Sequence, residues 1–326
     1  MMKKSTILDV AKRAGVSSST VSHVLNHYDD IGEETKKKVL AVAKELDYAP
    51  NYAAKRLSSK NKKQIALILN EINVTRGVAM PLEILGGVIE ALDKTEYEFV
   101  FYAVNGRKQK MKSLKQFCGE RDISGLIIQG LTTEDPYYHE LKRLDVPTVA
   151  IDMTVKNGSV GSVSIDNQAA AAEVARRLLA SGNKKILFIN GSNNAAVAME
   201  REAGVRSVIA HPLISYANFS EEMAFQIVEQ MERIEEIDAI FAASDLMAIG
   251  VIKALKKRNV AKKIDVVGFD DITLASYITP SLTTVRQNIP EFTKVAVADL
   301  IQQIETGKVV QKYIPYEIIV RDSARL

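Results

Sequence analysis

Ser17-Ser18-Ser19-Thr20, followed by Ser22, His23 and Asn26, puts hydroxyls, one imidazole and one amide on a short stretch of chain. Such groups donate and accept hydrogen bonds without bulk, as close approach to nucleic-acid phosphates and base edges requires. The same residues on an ordinary helical hairpin would be a plain polar face, so their meaning depends on what presents them. The remaining polar chemistry is sparser. His23 and His27 fall in this head, and His139 and His211 have no neighbouring motif supplying a nucleophile or a metal partner. No Gly-x-Gly-x-x-Gly or Walker-type phosphate loop occurs. Asp, Ser and Arg without a placed base do not argue catalysis, so no enzyme and no cofactor are expected. Cys118 is the only cysteine, which excludes an internal disulfide and a cysteine metal cluster.

The elements around the first motif follow from caps and periodicity. Thr6 can cap a helix, with Asp9 reaching back three residues later. Ile7, Val10, Ala11 and Ala14 then share a face, and Gly15 stops the helix. Ser17 can cap a second helix that buries Val21, Val24 and Leu25 and turns Ser18, Ser19, Ser22, His23 and Asn26 outward. A third helix is predicted from about Gly32 to Leu46, with Val39, Leu40, Val42, Ala43 and Leu46 inside and Lys36-Lys37-Lys38 in water. Three short helices with one tight glycine turn are the minimum of a helix-turn-helix. Pro50 ends the third helix. Asn51–Ser58 has helical composition but too few residues to be stable alone, and residues 58–63 read as a linker.

From Gln64 the texture changes. Apolar runs at Ile65–Leu69, Phe99–Val104, Leu126–Ile128, Val149–Ile151, Val163–Ile165, Ile186–Ile189, Ala239–Ala242 and Val266–Phe269 read as strands. Helical stretches such as Leu82–Leu92, Ala169–Leu179, Glu221–Met231 and Leu246–Lys256 separate most of them. Alternating strand and helix predicts an α/β fold with parallel sheets covered on both faces. So many strands over this length fit two lobes, with ligands beyond the carboxyl ends of the strands.

Charge divides along the same line. Residues 1–63 hold 13 Lys/Arg against 7 Asp/Glu, and the rest of the 326-residue chain holds 30 against 33. A basic head on a slightly acidic body points to a polyanion partner for the head alone. The N-terminus leads into an amphipathic segment and no apolar run is long enough to span a bilayer, so a cytoplasmic protein without a membrane partner is expected.

Residues 6–17, Thr-Ile-Leu-Asp-Val-Ala-Lys-Arg-Ala-Gly-Val-Ser, resemble the opening of the lactose-repressor (LacI/GalR) family of transcription regulators. Residues 19–26 are similar to its reading helix. Glu33-Glu34-Thr35 and residues 46–51 match its third helix and exit. The similarity runs on through Val146-Pro147, Asp166-Asn167, Ala243-Ser244-Asp245, residues 266–271, residues 280–287 and Val320-Arg321-Asp322-Ser323.

The resemblance implies a helix-turn-helix domain at 1–49, a hinge helix and linker at 50–63, and a two-lobed periplasmic-binding-protein-like core at 64–326. The N-lobe would take about 64–163 and 288–315, the C-lobe about 164–287 and 316–326. It implies a homodimer on a pseudo-palindromic operator in double-stranded DNA, repressing carbohydrate genes under control of a sugar or sugar phosphate. A protein co-regulator or a non-sugar ligand is the alternative. Thr6, Ser17, Ser18, Ser19, Thr20, Ser22, His23, Asn26, Tyr48, Asn51, Ala54, Lys55 and Leu57 would contact DNA, with Leu57 wedging the central base step of the minor groove. Asp152, Arg201, Ser244, Asp245 and Asp270 would form the effector pocket. Carboxylates, a guanidinium and a hydroxyl suit vicinal hydroxyls, and an arginine can also grip a phosphate or carboxylate.

The chain also departs from the family pattern. His23 stands where arginine is usual, and a histidine cannot read guanine bidentately, so a changed base preference is expected. Ser244 stands where asparagine is common. Residues 70–81 lack the usual aromatic pair, and Val208–Phe219 is shorter than usual. No C-terminal leucine heptad is present, so tetramers are not expected.

Overall fold

The computed structural model describes residues 6–25, 31–46, 64–71, 79–155 and 158–326. These fall into two compact units, one within residues 1–62 and one within 63–326. The first consists of α1 (Ile7–Ala14), α2 (Ser18–Leu25) and α3 (Glu33–Glu45). The capping box at the start of α1 is formed: Asp9 N donates to Thr6 Oγ1 at 3.3 Å and Thr6 N to Asp9 Oδ2 at 2.8 Å. Gly15 ends α1 at φ 66°, a left-handed value that suits a residue without Cβ. Thr20 N donates to Ser17 Oγ at 3.0 Å and so caps α2. Val10, Ala11, Ala14, Val21, Val24, Val39 and Ala43 close the core. Leu40, expected inside, is 46% exposed. It lies a little over a quarter turn round α3 from Val39, off the Val39, Val42, Ala43 and Leu46 stripe.

The second unit begins with β1 (Gln64–Asn70), then α4 (Ala79–Leu92), β2 (Glu98–Val104), α5 (Gly106–Met111) and α6 (Leu114–Glu120). β3 (Gly125–Gln129), α7 (Pro136–Leu141), β4 (Thr148–Ile151) and β5 (Val160–Ser164) complete the first lobe's contiguous part. The second lobe holds α8 (Asn167–Ala180), β6 (Ile186–Asn190), α9 (Ala196–Val208), β7 (Leu213–Tyr216), α10 (Glu221–Glu229), β8 (Ala239–Ala242), α11 (Asp245–Lys257), β9 (Asp265–Val267), α12 (Thr273–Tyr277) and β10 (Thr284–Gln287). The chain then returns through α13 (Ile289–Thr306) and β11 (Gln311–Tyr313) and ends with β12 (Tyr316–Ile319).

Six strands in the order β11-β5-β4-β3-β1-β2, all parallel, form the first sheet. β1 is buried at every position, as a strand covered on both faces must be. The second sheet is parallel in the order β7-β6-β8-β9, and β10 pairs antiparallel with β12. The two lobes are joined three times, between β5 and α8, between β10 and α13, and between β11 and β12.

Two strand expectations shift. The strand expected at Val163–Ile165 is Val160–Ser164, because the chain leaves the sheet at Ile165. The one expected at Val266–Phe269 is Asp265–Val267, and Phe269 beyond it packs its ring against the Arg201 guanidinium. β7, β10, β11 and β12 were not anticipated. They are three or four residues long and lack a continuous apolar run, and β11 is exposed throughout.

Candidate functional site

At the cap of α2 Ser17 is exposed, and on the helix Ser18 and Ser19 are exposed while Thr20, Ser22 and His23 are half-buried. Ser17 Oγ lies 2.7 Å from Ser19 Oγ and 2.8 Å from Thr20 Oγ1, so the hydroxyls cluster at the helix start. Thr6 is exposed, and its hydroxyl donates to Asp9 Oδ2 at 2.7 Å. Asn26, Tyr48, Asn51, Ala54, Lys55 and Leu57 lie outside the described residues, as does most of the loop expected to be atypical at 70–81.

The second constellation lies where the two parallel sheets point their carboxyl ends at one another. Strand order reverses between β1 and β3 and again between β6 and β8, the places where open sheets leave a crevice. A cavity of about 210 Å³ occupies the junction. Asp152 enters it from the end of β4, Ser192 from beyond β6, Ser244 from beyond β8, Asp270 from beyond β9 and Arg201 from α9. Asp245 is not among the lining residues. It is fully buried behind the wall, accepting from Thr284 Oγ1 at 2.5 Å and from Ile272 N at 2.8 Å. Its position follows from helix geometry: Ser244 caps α11 by accepting from Met247 N at 3.3 Å, which turns the next side chain inward.

Arg201 is 3% exposed and held on three sides. Its Nε donates to Asn167 Oδ1 at 2.8 Å and its Nη1 to the Ala243 carbonyl at 2.6 Å. The guanidinium lies 3.6 Å from the centre of the Phe269 ring and 4.0 Å from Asp270 Oδ1. Ser164 Oγ donates to Asp152 Oδ1 at 3.1 Å, and Gln287 Nε2 to Asp270 Oδ1 at 2.7 Å. Among the described residues, Arg201 Nη2, Asp152 Oδ2 and Asp270 Oδ2 have no hydrogen-bond partner. Two donors and two carboxylate oxygens thus remain free at the cavity.

Burial sets the protonation chemistry. It pushes the Asp270 carboxyl up to about 7, against the pull of Arg201 and Gln287. Asp152 is also raised by burial, with Arg201 and Ser164 opposing. Asp245 is raised strongly by burial and then by the nearby Asp270 charge.

Several residues of the site gave no signal by themselves. Asn167 and Gln287 hold the charged groups. Asn70, at the end of β1, donates to the Gly130 carbonyl at 3.1 Å and accepts from Gln109 Nε2 at 2.8 Å, which fixes one wall. Phe219 lines the cavity and covers Gly191 so closely that a Cβ there would lie 2.1 Å from the ring. The short Val208–Phe219 connection places it: α9 ends at Val208, β7 follows, and Asn218 and Phe219 turn the chain at positive φ. Asp271 is spoken for, with Arg286 Nε and Arg321 Nη2 each 2.7 Å from its oxygens.

Residues 6–51 match the family described as bacterial regulatory proteins, lacI family, and residues 175–324 match a periplasmic binding protein-like domain. The ribose operon repressor of Halalkalibacterium halodurans is 32% identical over 98% of this chain and 97% of its own length. The chain belongs to the lacI family. Among solved structures of this family, the lac repressor dimer bound to operator and the anti-inducer ONPF superposes with a TM-score of 0.88 at 25% identity. That match covers 99% of this chain and all of the other. The CelR–cellobiose complex gives 0.74 at 27% identity, covering 98% of this chain and all of the other. As a lacI-family member the protein is a DNA-binding transcription regulator. No helix among the described residues is long and apolar enough to cross a membrane.

Proposed function

We propose that the protein is a dimeric repressor of carbohydrate-utilisation genes, released from or tightened on a pseudo-palindromic operator by an uncharged sugar in the lobe-junction cavity. The observation carrying this reading is the set of free atoms around the cavity, two carboxylate oxygens and one guanidinium edge. Vicinal hydroxyls both donate and accept, so they satisfy both kinds of atom. A phosphorylated sugar would place its charge beside Asp152 and Asp270, opposed by a single guanidinium already occupied on its other edge. The Phe219 ring and the apolar lining suit the carbon face of a sugar ring. The names of the ribose operon repressor and the CelR–cellobiose complex support a saccharide of this kind.

On the DNA side, Thr6, Ser17, Ser18, Ser19, Thr20, Ser22, His23 and Asn26 serve the major groove. Tyr48, Asn51, Ala54, Lys55 and Leu57 serve the hinge and minor groove. Leu57→Ala should weaken specific binding and leave salt-dependent nonspecific binding largely intact; equal loss of both overturns the wedge role. Ser244 belongs to the pocket by its place in the lining, and Asp245 supports the wall behind it. A homodimer is supported by an apolar surface on α4 and the edge strand β2, where Leu82, Ile89 and Phe101 are 59%, 49% and 37% exposed.

The test is fluorescence anisotropy on a selected operator with a panel of free sugars and their phosphates. A shift in operator affinity produced by an uncharged sugar is expected. A response confined to phosphorylated sugars overturns the proposed ligand class.

A further inference from the structure

Four buried polar groups run in a line across the first joint between the lobes. Asp152 Oδ1 accepts from Ser164 Oγ at 3.1 Å, and Ser164 Oγ accepts from Asn167 Nδ2 at 3.2 Å. Asn167 Oδ1 accepts from Arg201 Nε at 2.8 Å. Ser164 is the last residue of β5 and belongs to the first lobe, whereas Asn167 opens α8 in the second. The chain crosses between lobes over just Ile165 and Asp166, so the Ser164–Asn167 bond spans the joint itself. Ser164, Asn167 and Arg201 are 4%, 1% and 3% exposed, so a broken link leaves a buried polar group without its partner.

We propose that Asn167 is the positioning residue of the cavity, aiming Arg201 and tying it through Ser164 to Asp152 on the opposite lobe. An amide is the side chain that can do this, because it accepts from the guanidinium with its oxygen while donating with its nitrogen. The same nitrogen lies 3.2 Å from Glu200 Oε2, so it also partners the carboxylate next to Arg201 in sequence. Asp166 caps α8 by accepting from Ala169 N at 2.8 Å, which fixes the helix start and therefore the direction of the Asn167 side chain. A ligand touching Asp152 and Arg201 at once loads both ends of this line. A change in lobe angle must stretch it at Ser164–Asn167. The orientation of Arg201 and the sugar response are thereby set by one amide. The consequence for regulation rests on the reading of the cavity as the effector site; the aiming of Arg201 does not.

The test uses the full-length protein labelled with 15N-arginine, its Arg201 Nε–H signal assigned by loss in Arg201→Lys. In the wild type this proton should exchange with solvent at least about tenfold more slowly than those of exposed arginines. Asn167→Ala should bring it to the exposed rate while the backbone amides of α8 and α9 stay protected. Ser164→Ala should leave it slow, because only the link to Asp152 is cut. In the operator assay with D-ribose and cellobiose as probes, Ser164→Ala should reduce the sugar-dependent shift in operator affinity about fivefold. Ser164→Thr, which keeps the hydroxyl, should restore it. Continued slow exchange of Arg201 Nε–H in Asn167→Ala overturns the positioning role. A full sugar response in Ser164→Ala overturns the link across the joint. Should neither sugar move the wild type, the sugar reading fails for these probes and the arginine signal alone decides for or against Asn167.

Discussion

Asp270 holds the most informative single carboxyl in the molecule. Burial places its folded-state pKa at about 7, while an unfolded aspartate titrates near 3.9. The folded state therefore keeps a proton that the unfolded state has lost. Its contribution favours folding fully below about pH 4 and is lost as the pH rises through about 7. Asp270→Asn should flatten the dependence of unfolding free energy on pH across that window, measured by urea denaturation at several pH values. The sugar response of the wild type should also change near pH 7, as the carboxyl switches between donating and accepting, and the Asn variant should lose that dependence. Arg201→Ala should abolish the sugar response and spare operator affinity. It also leaves Asp152 and Asp270 without their cation, which should cost about 3 kcal/mol of stability. An unaltered sugar response in that variant would remove Arg201 from the pocket.

Between elements, the contact of α4 with α13 is among the tightest. A Cβ at Gly87 would lie 2.1 Å from Thr293 Oγ1, and Thr293 is itself pinned by donating to the Pro290 carbonyl at 2.9 Å. Gly87→Ala should destabilise the protein by about 1–3 kcal/mol, read as a lower midpoint in thermal unfolding, and Thr293→Ser should not relieve it because the oxygen remains. Nothing in Leu85-Gly86-Gly87-Val88 discloses that packing partner, two hundred residues away. The elements themselves were far more legible. Thr6 with Asp9, Gly15 and Ser17 carry their capping chemistry within four residues, and the short apolar runs Ile65–Leu69 and Ala239–Ala242 read as buried strands by their length and composition. β10, β11 and β12 were not legible, because each depends on a partner strand that is remote in sequence or reached only by folding. The site divides in the same way. Asp152 and Asp270 stand at strand ends and can be found by family pattern. Asn167 matters through a contact across the joint, and Gln287 and Phe219 through contacts with Asp270 and Gly191 that their own segments do not disclose. Asp245, alike in type to Asp270 and adjacent in the motif to Ser244, faces the opposite way because a helix starts there.

For the whole molecule, reading two half-sites takes two basic heads, which the proposed dimer would supply. Ile89→Glu on the exposed surface of α4 should weaken self-association in sedimentation velocity. Operator affinity should fall with it, because two linked heads gain from effective concentration. A variant that stays dimeric would locate the interface elsewhere.

The first sheet is finished by segments that follow the whole second-lobe sheet in sequence. Its edge strand β11 pairs with β5 at Gln311–Tyr313, and α13 covers β3, β4 and β5. During synthesis the three helices of the head have emerged by residue 46 and the hinge segment by residue 63, yet the first sheet cannot close until residue 313 has followed. A message cut short in between encodes a reader without its receiver. Such a product would leave the apolar face beneath α13 and the β5 edge uncovered, and would be open to proteolysis along with its head. A stop introduced at Ile289 should leave little protein on an immunoblot and no occupied operator. Late closure of this kind would make control of the operator conditional on a folded sensor: a truncated copy should be removed before it can hold an operator that the proposed effector could not release.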